Sequence, residues 1–306
     1  MRQILFSLTL ASLLCISSGA EWCYLSQVTC ESSSCKGPKE WNKVHPDCAG
    51  DNQSPINIIT KRTLRNNDLM TFTFTDYDKQ TIALMKNNGH SVQVSLPTGK
   101  KISGGNLTTY KALQFHLHWG TDGGPGSEHT IDGEQFPMEL HIVHIKDTHS
   151  SLDQAVKEKD GIAVLGFFYQ ESPEENKNYT KLIDALDKIT DMGLNTTLQG
   201  LRLDELIPAP ENLTKYYRYE GSLTTPDCSE AVVWTVFENP IPLSKEQILA
   251  FTKLNFKDMK SMVDTFRPVQ KLNNRIVYRS GSNVVVASMA LLAASLLSTV
   301  GVSWLH

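Results

Sequence analysis

The sequence has no excess of basic residues, since 29 lysines and arginines stand against 33 aspartates and glutamates, for a net charge of −4. Proteins that bind nucleic acid usually carry concentrated positive charge. The composition therefore predicts no nucleic-acid partner and favours a small or uncharged substrate. Residues 21–280 also lack internal repeats, low-complexity stretches and Pro/Gly/Ser-rich linkers, which predicts a single domain.

The first 20 residues contain little charge. Arg2 precedes an apolar run, and the small residues Ser18, Gly19 and Ala20 follow it. This order is typical of a secretory signal peptide, so we expect residues 1–20 to be removed after Ala20. A short core helix is the alternative, but no amphipathic face accompanies the run. The mature chain is therefore predicted to be secreted.

The other end of the chain lacks charge altogether between residues 284 and 305, a stretch long enough to cross a bilayer, which needs about 20 residues. Ser280, Gly281 and Ser282 precede it, and no Lys or Arg follows, which favours a lipid-anchor signal over a membrane span. We expect residues 281–306 to be removed and a GPI anchor to be attached at Ser280, with Gly281 and Ser282 as alternatives. The polar spacer of such signals is nearly absent, and a true span is the competing interpretation. The anchor predicts location on the extracellular face of the plasma membrane.

Cys-x-x-Cys, the usual spacing of a zinc knuckle, does not occur, although six cysteines are present. Cys15 is expected to leave with the signal peptide, and the secretory pathway favours disulfides among the rest. Five cysteines then remain, so one has no mate, and the sequence alone does not fix the pairing. The five are Cys23, Cys30, Cys35, Cys48 and Cys228.

Asn-x-Ser/Thr sequences indicate possible N-glycosylation on exposed loops of a secreted chain. The predicted sites are Asn106, Asn178, Asn195 and Asn212. A fifth such sequence at Asn52 is set apart, because Pro55 directly follows its Ser54 and constrains the segment.

Short alternating runs bounded by turn residues predict strands at 91–96, 113–119, 138–145, 162–169 and 232–237. Helical spacing is rarer and occurs at 181–189 and 245–254, the second with Ser244 as N-cap. We therefore expect a mainly β fold, a single domain of residues 21–280 around a large sheet with peripheral helices.

Two of the predicted strands carry histidines on one face. Alternation in the first places Gln114, His116 and His118 together, and two imidazoles at i and i+2 can converge on one metal ion. A hydrogen-bonded histidine pair without metal is the alternative. Gln114 is placed to accept the outer N–H of a ligand.

The second strand places Glu139 and His141 on one face, with Glu139 as the outer partner of a ligating histidine. His144 points to the opposite face and is interpreted as structural. Three neutral imidazoles with an open fourth position are typical of a catalytic zinc site.

These segments and four others resemble the signature motifs of the α-carbonic anhydrases, in family order from about residue 22 to 279. The matching segments are 53–58 (QSPINI), 87–90 (NNGH), 114–119 (QFHLHW), 126–129 (GSEH), 139–144 (ELHIVH) and 221–226 (GSLTTP). The cysteine pattern and the anchor signal are most similar to the membrane-anchored members. The resemblance implies a twisted, mostly antiparallel sheet and reversible hydration of carbon dioxide to bicarbonate.

The resemblance also implies roles for individual residues. It assigns Zn2+ to His116, His118 and His141, and the orientation of the attacking group to Glu128 and Thr224. It implies an apolar substrate wall of Val143, Val164, Leu223 and Trp234, with Thr225 near bicarbonate. It pairs Cys23 with Cys35 and Cys48 with Cys228, which leaves Cys30 without a mate.

His90 matches the proton-shuttle position of the family, and histidine is the side chain whose ordinary pKa lies near neutral pH. An exposed turn histidine is the alternative, with His45 or His129 as other routes for the proton. Carbon dioxide, bicarbonate and water are the expected partners, with bicarbonate transporters as further ones.

One departure from the family pattern and one competing class of function remain. Thr265 stands where many members have Asn, but the family uses the backbone carbonyl there. A catalytically inert binding domain would normally lack a zinc histidine, and here all three are present.

Overall fold

The computed structural model describes residues 22–28 and 35–281. The predicted signal peptide, Cys30 and the tail from Ser282 onward lie outside the described residues. The strands are β1 (Asn57–Ile58), β2 (Leu64–Asn66), β3 (Phe72–Thr75), β4 (Thr81–Asn87), β5 (Val92–Ser95), β6 (Lys101–Gly104), β7 (Leu107–Trp119), β8 (Thr130–Ile131), β9 (Glu134–Gln135), β10 (Met138–Lys146), β11 (Ile162–Ser172), β12 (Asn195–Leu201), β13 (Tyr216–Gly221), β14 (Val232–Ser244) and β15 (Tyr278–Ser280).

Helices are short and lie between the strands. The α-helices are α1 (Leu152–Ala155), α2 (Thr180–Leu186) and α3 (Lys245–Ala250). The 3-10 turns are Leu25–Gln27, Pro38–Lys43, Pro46–Ala49, Thr60–Arg62, Lys177–Tyr179, Pro210–Asn212 and Phe251–Lys253. The prediction of a mainly β fold with peripheral helices is confirmed.

The ends of α3 show how well the local sequence pattern predicts a helix. Ser244 accepts a hydrogen bond from the Gln247 backbone N–H, and the Gln247 side chain accepts from the Ser244 N–H, so the predicted N-cap is a capping box. The helix ends at Ala250 and continues as the 3-10 turn to Lys253, which covers most of the predicted helix 245–254.

Among the described residues, twelve strands form one sheet. Ten of them have the order β12-β4-β5-β7-β10-β11-β14-β13-β15-β2, while β6 also pairs with β7 and β3 pairs with β6. Most neighbours are antiparallel, while β11–β14 and β15–β2 are parallel. The five predicted strands all lie in this sheet. β7 and β14 are longer than the predicted runs, because polar and apolar residues continue to pair beyond the amphipathic segments.

Apolar side chains fill both faces of the sheet. The larger core includes Phe115, Leu117 and Trp119 of β7, the face predicted to be buried. A smaller core on the other face includes Val143, Val164 and Trp234. The face of the sheet that carries the three histidines therefore also carries apolar side chains next to them.

Two disulfides occur among the described cysteines, Cys23–Cys35 and Cys48–Cys228, which is the pairing that the resemblance implies. The second spans 180 residues of sequence and ties the N-terminal region to the chain after β13. Among the described residues, no helix is long and apolar enough to cross a membrane.

The candidate glycosylation sites differ in accessibility. The four asparagines predicted as sites are all exposed: Asn106, Asn178, Asn195 and Asn212. At Asn52, by contrast, the Ser54 side chain is fully buried and bonds Tyr219, so the folded chain hides the hydroxyl that the modification requires.

Candidate metal centre

Pairing between β7 and β10 brings the histidines together. In this antiparallel register His116 lies opposite His141, and His118 lies opposite Glu139. Side chains directly opposite each other share a face of the sheet. Gly166 on β11 pairs with His141, and a Cβ there would lie 3.2 Å from Glu139 Oε1, so the glycine leaves room for the carboxylate.

Each of the three histidines donates a hydrogen bond from its outer nitrogen. His116 Nδ1 donates to Gln114 Oε1 at 3.0 Å, and His118 Nδ1 donates to the Thr265 carbonyl at 2.5 Å. His141 Nε2 donates to Glu139 Oε1 at 2.7 Å. These bonds leave the inner nitrogen of each ring as a lone-pair acceptor, the form that a metal requires.

The inner nitrogens converge on one point. The potential ligand atoms of His116, His118 and His141 lie within 4.8 Å of one another. His118 Nε2 and His141 Nδ1 are 3.1 Å apart, and because both rings carry their proton on the outer nitrogen, their lone pairs face each other. Such an arrangement is unfavourable unless a cation lies between them, so the donor set fits a metal ion.

Burial keeps these rings neutral. It lowers the pKa of His118 to about 4, and it lowers the pKa of His116 well below its ordinary value, with the neighbouring His118 and His141 adding to the effect. Burial also lowers the pKa of His141, although Glu139 opposes this. Neutral imidazoles can bind metal without first releasing a proton.

A hydrogen-bonded chain behind the histidines fixes Glu139. Its Oε1 also accepts from His129 Nδ1 at 2.7 Å, while His129 Nε2 accepts from the Tyr219 hydroxyl at 2.6 Å. Burial raises the pKa of Glu139, but His129 and His141 outweigh it and hold that pKa well below the usual range. The sequence did not predict these hydrogen bonds, because the residues come from separate segments that no single helical or strand periodicity connects.

The same contacts bear on the proton routes considered from the sequence. His129 is fully buried and both ring nitrogens are bonded, which argues against its use as a route to solvent. His45 contacts Asp227, with 2.8 Å between Nδ1 and Oδ1.

Glu128 and Thr224 lie beside the metal centre, as the motif match implies. Glu128 Oε2 is 3.4 Å from His118 Nε2 and has no hydrogen-bond partner among the described residues. Glu128 Oε1 accepts the Arg267 backbone N–H at 2.8 Å. Burial raises the pKa of Glu128 to about 7, against the opposing effects of His141, the Thr224 hydroxyl and the Arg267 backbone N–H.

The loop that carries Thr224 is closed on itself. Leu223 N–H donates to the Ser229 carbonyl at 3.0 Å, and Cys228 N–H donates to the Thr225 carbonyl at 2.8 Å. The Cys48–Cys228 disulfide then attaches this loop to the N-terminal region. Thr224 is buried and Thr225 is half-buried.

An apolar wall adjoins the histidines. Val143 pairs with Val164 across β10 and β11, and Val164 pairs with Trp234 across β11 and β14, so the three side chains form a continuous row. All three are at most 3% exposed, and Leu223 packs against their cluster. The Trp234 ring lies 4.8 Å from the His141 ring.

His90 lies in a turn after β4 and is half-buried. The Asn88 side chain accepts from the His90 N–H at 2.9 Å and from the Ser91 N–H, which fixes the turn. The His90 ring stacks on Trp22 with centroids 3.8 Å apart, so the aromatic residue near the chain start holds its orientation.

Three neutral imidazoles on adjacent antiparallel strands, oriented by outer hydrogen bonds, form a candidate metal site of the open three-histidine type. The family model for eukaryotic-type carbonic anhydrases matches residues 36–281. The chain belongs to this family and is a carbonic anhydrase enzyme.

The chain is similar in sequence to known carbonic anhydrases over most of its length. Carbonic anhydrase 4 of Rattus norvegicus is 41% identical over 100% of both chains, and carbonic anhydrase 4 of Oryctolagus cuniculus is 44% identical over 91% of both. Carbonic anhydrase 12 of Homo sapiens is 37% identical over 89% of this chain and 77% of its own length.

Replacing one candidate ligand should show whether that histidine binds metal or only packs in the core. We expect His141→Ala to purify without metal, because two imidazoles do not complete the site. His144→Gln is the matched control on the same strand, since His144 bonds Tyr77 and the Ala163 carbonyl on the opposite face and should retain metal. Elemental analysis checks both, and normal metal content in His141→Ala would contradict the three-histidine assignment.

Proposed function

We propose that this enzyme binds one Zn2+ between His116, His118 and His141 and catalyses reversible hydration of carbon dioxide to bicarbonate and a proton. The observation that supports the proposal best is the convergence of three lone pairs whose rings are fixed from outside. In an open three-histidine site zinc supplies Lewis acidity and lowers the pKa of a coordinated water, a behaviour for which carbonic anhydrases are the standard example.

Glu128 and Thr224 orient the attacking group in this proposal. A nearby divalent cation favours the ionised form of Glu128, which can then only accept hydrogen bonds. The Thr224 hydroxyl then donates to Glu128, so its oxygen must accept from the attacking water or hydroxide. This fixes the direction of the attacking lone pair, and correct orientation of the reacting atoms raises the rate.

The apolar wall is suited to carbon dioxide, which has no charge and no dipole. Val143, Val164, Leu223 and Trp234 offer it no competing hydrogen bond, and Thr225 offers a hydroxyl where bicarbonate forms. The wall also limits water near the substrate, which strengthens electrostatic interactions at the reacting atoms.

Loss of the Thr224 hydroxyl should slow the reaction without removing the metal. We expect Thr224→Ala to hydrate carbon dioxide roughly tenfold or more slowly, because orientation is lost. Thr224→Ser retains the hydroxyl and should lose much less. Stopped-flow hydration with metal analysis checks this, and equal rates for Thr224→Ala and the unchanged enzyme would remove the orienting role.

His90 is proposed to carry the proton from the site to solvent, with Trp22 holding its ring. We expect His90→Ala to lower the maximal hydration rate in weak buffer while the rate at low carbon dioxide stays nearly unchanged, because attack on carbon dioxide does not use this side chain. Added imidazole should restore much of the loss, since imidazole is the proton-carrying group of the histidine side chain. A normal maximal rate in weak buffer would assign the proton to another route.

We also propose that the mature enzyme spans residues 21–280 and is held on the extracellular face of the plasma membrane by a GPI anchor near Ser280, with bicarbonate transporters as neighbours. Ser280 ends β15, where its hydroxyl donates to the Thr214 carbonyl. An anchor attached here would begin directly at the sheet.

A phosphatidylinositol-specific phospholipase should release the protein from the surface of expressing cells. A chain that stops after residue 283 lacks the apolar tail and should be secreted without lipase. Recovery of peptides from residues 284–305 in lipase-resistant surface protein would show a membrane span instead.

A further inference from the structure

One cavity lies beside β13, and none of the three candidate metal ligands borders it. Its volume is about 620 Å³, within the range of small-molecule pockets, and it is bordered by the start of β7, by β13 and by residues 274–278. Arg218 and Tyr219 are successive residues of β13 and therefore point to opposite faces. Tyr219 bonds His129 behind the candidate metal centre, while Arg218 extends to the opposite face, over Phe72 and Tyr216, and both residues border the cavity.

Arg218 is a buried cation without an anionic partner. It is 8% exposed, and within the described part of the chain no carboxylate lies at ion-pair distance from it. Nε and Nη2 donate to Thr235 Oγ1 and Nη1 donates to the Gly105 carbonyl, which are neutral acceptors. The guanidinium also lies over the rings of Phe72 and Tyr216, at 5.9 and 5.7 Å.

The other charged side chains around the cavity do not neutralise Arg218. Arg275 donates to main-chain carbonyls, among them those of Glu220 and Gln53. The two carboxylates that border the cavity are paired elsewhere, Asp160 with Lys146 and Glu220 with Lys159. Burying an uncompensated charge is costly, so an anion in the cavity would be stabilised by both arginines.

The shape and donors of the cavity indicate the kind of anion. Three of the five N–H groups of Arg218 are used, which leaves one hydrogen on each terminal nitrogen for the two oxygens of a carboxylate. Leu69, Leu107 and Ile276 give the cavity apolar walls. We propose that this cavity is a binding site for an organic monocarboxylate, whose head group contacts Arg218 and whose apolar body lies against these walls.

Butyrate is a suitable probe, and butan-1-ol is its uncharged counterpart. The whole chain is expressed in cells, purified, and treated with a chelator so that no anion can bind at a metal. Ligand-observed NMR should then show butyrate binding and much weaker butanol binding. Arg218→Gln should weaken butyrate binding by roughly tenfold or more, because a hydrogen bond to a charged group is lost.

A pair of variants at Ile276 keeps the test decisive if Arg218→Gln does not fold. Ile276 is 48% exposed at the cavity, so both replacements should be tolerated. Ile276→Glu places a negative charge there and should weaken butyrate binding much more than Ile276→Gln, which removes only apolar contact. Absence of butyrate binding, equal affinity in all variants, or inorganic phosphate binding as tightly as butyrate would overturn the proposal.

Discussion

The antiparallel pairing of β7 with β10 is the constraint on which the site depends. It places His116 opposite His141 and His118 opposite Glu139, so the candidate metal ligands and one outer partner come from a single register. A slip of one residue would turn these side chains to the other face, into the larger apolar core. Phe115, Leu117 and the other buried residues of that core therefore hold the metal centre in place as much as its own hydrogen bonds do.

The hydrogen bonds around the histidines solve an electrostatic problem that the sheet creates. Three imidazoles lie close together, and burial is the largest of the effects that favour their neutral form. A neutral ring has two tautomers, and only one presents a lone pair to the metal. Gln114, the Thr265 carbonyl and Glu139 each select that tautomer by accepting the outer N–H. Glu139 is itself fixed by His129, so the chosen tautomers form one connected network.

The sequence predicted those features that depend on local period. Alternation placed Gln114, His116 and His118 on one face, and Ser244 was identified as a helix cap from its position before an apolar run. Contacts between distant segments could not be read this way. Three such contacts join residues far apart in sequence, and only folding brings them together. They are the register of β7 against β10, the hydrogen bond from His118 to the Thr265 carbonyl, and the hydrogen bonds that link Glu139 through His129 to Tyr219. Arg218 gave no signal either, because a lone arginine in a strand is unremarkable until its lack of a carboxylate partner is seen.

We propose that the three oriented imidazoles bind the zinc ion on which carbon dioxide hydration by this enzyme depends. The most direct measurement is stopped-flow hydration during zinc addition to chelator-treated enzyme. Activity should rise from near zero and level off at about one zinc per chain, because the three nitrogens form a single open site. Full activity in the metal-free protein, or no recovery after one equivalent of zinc has bound, would contradict the account.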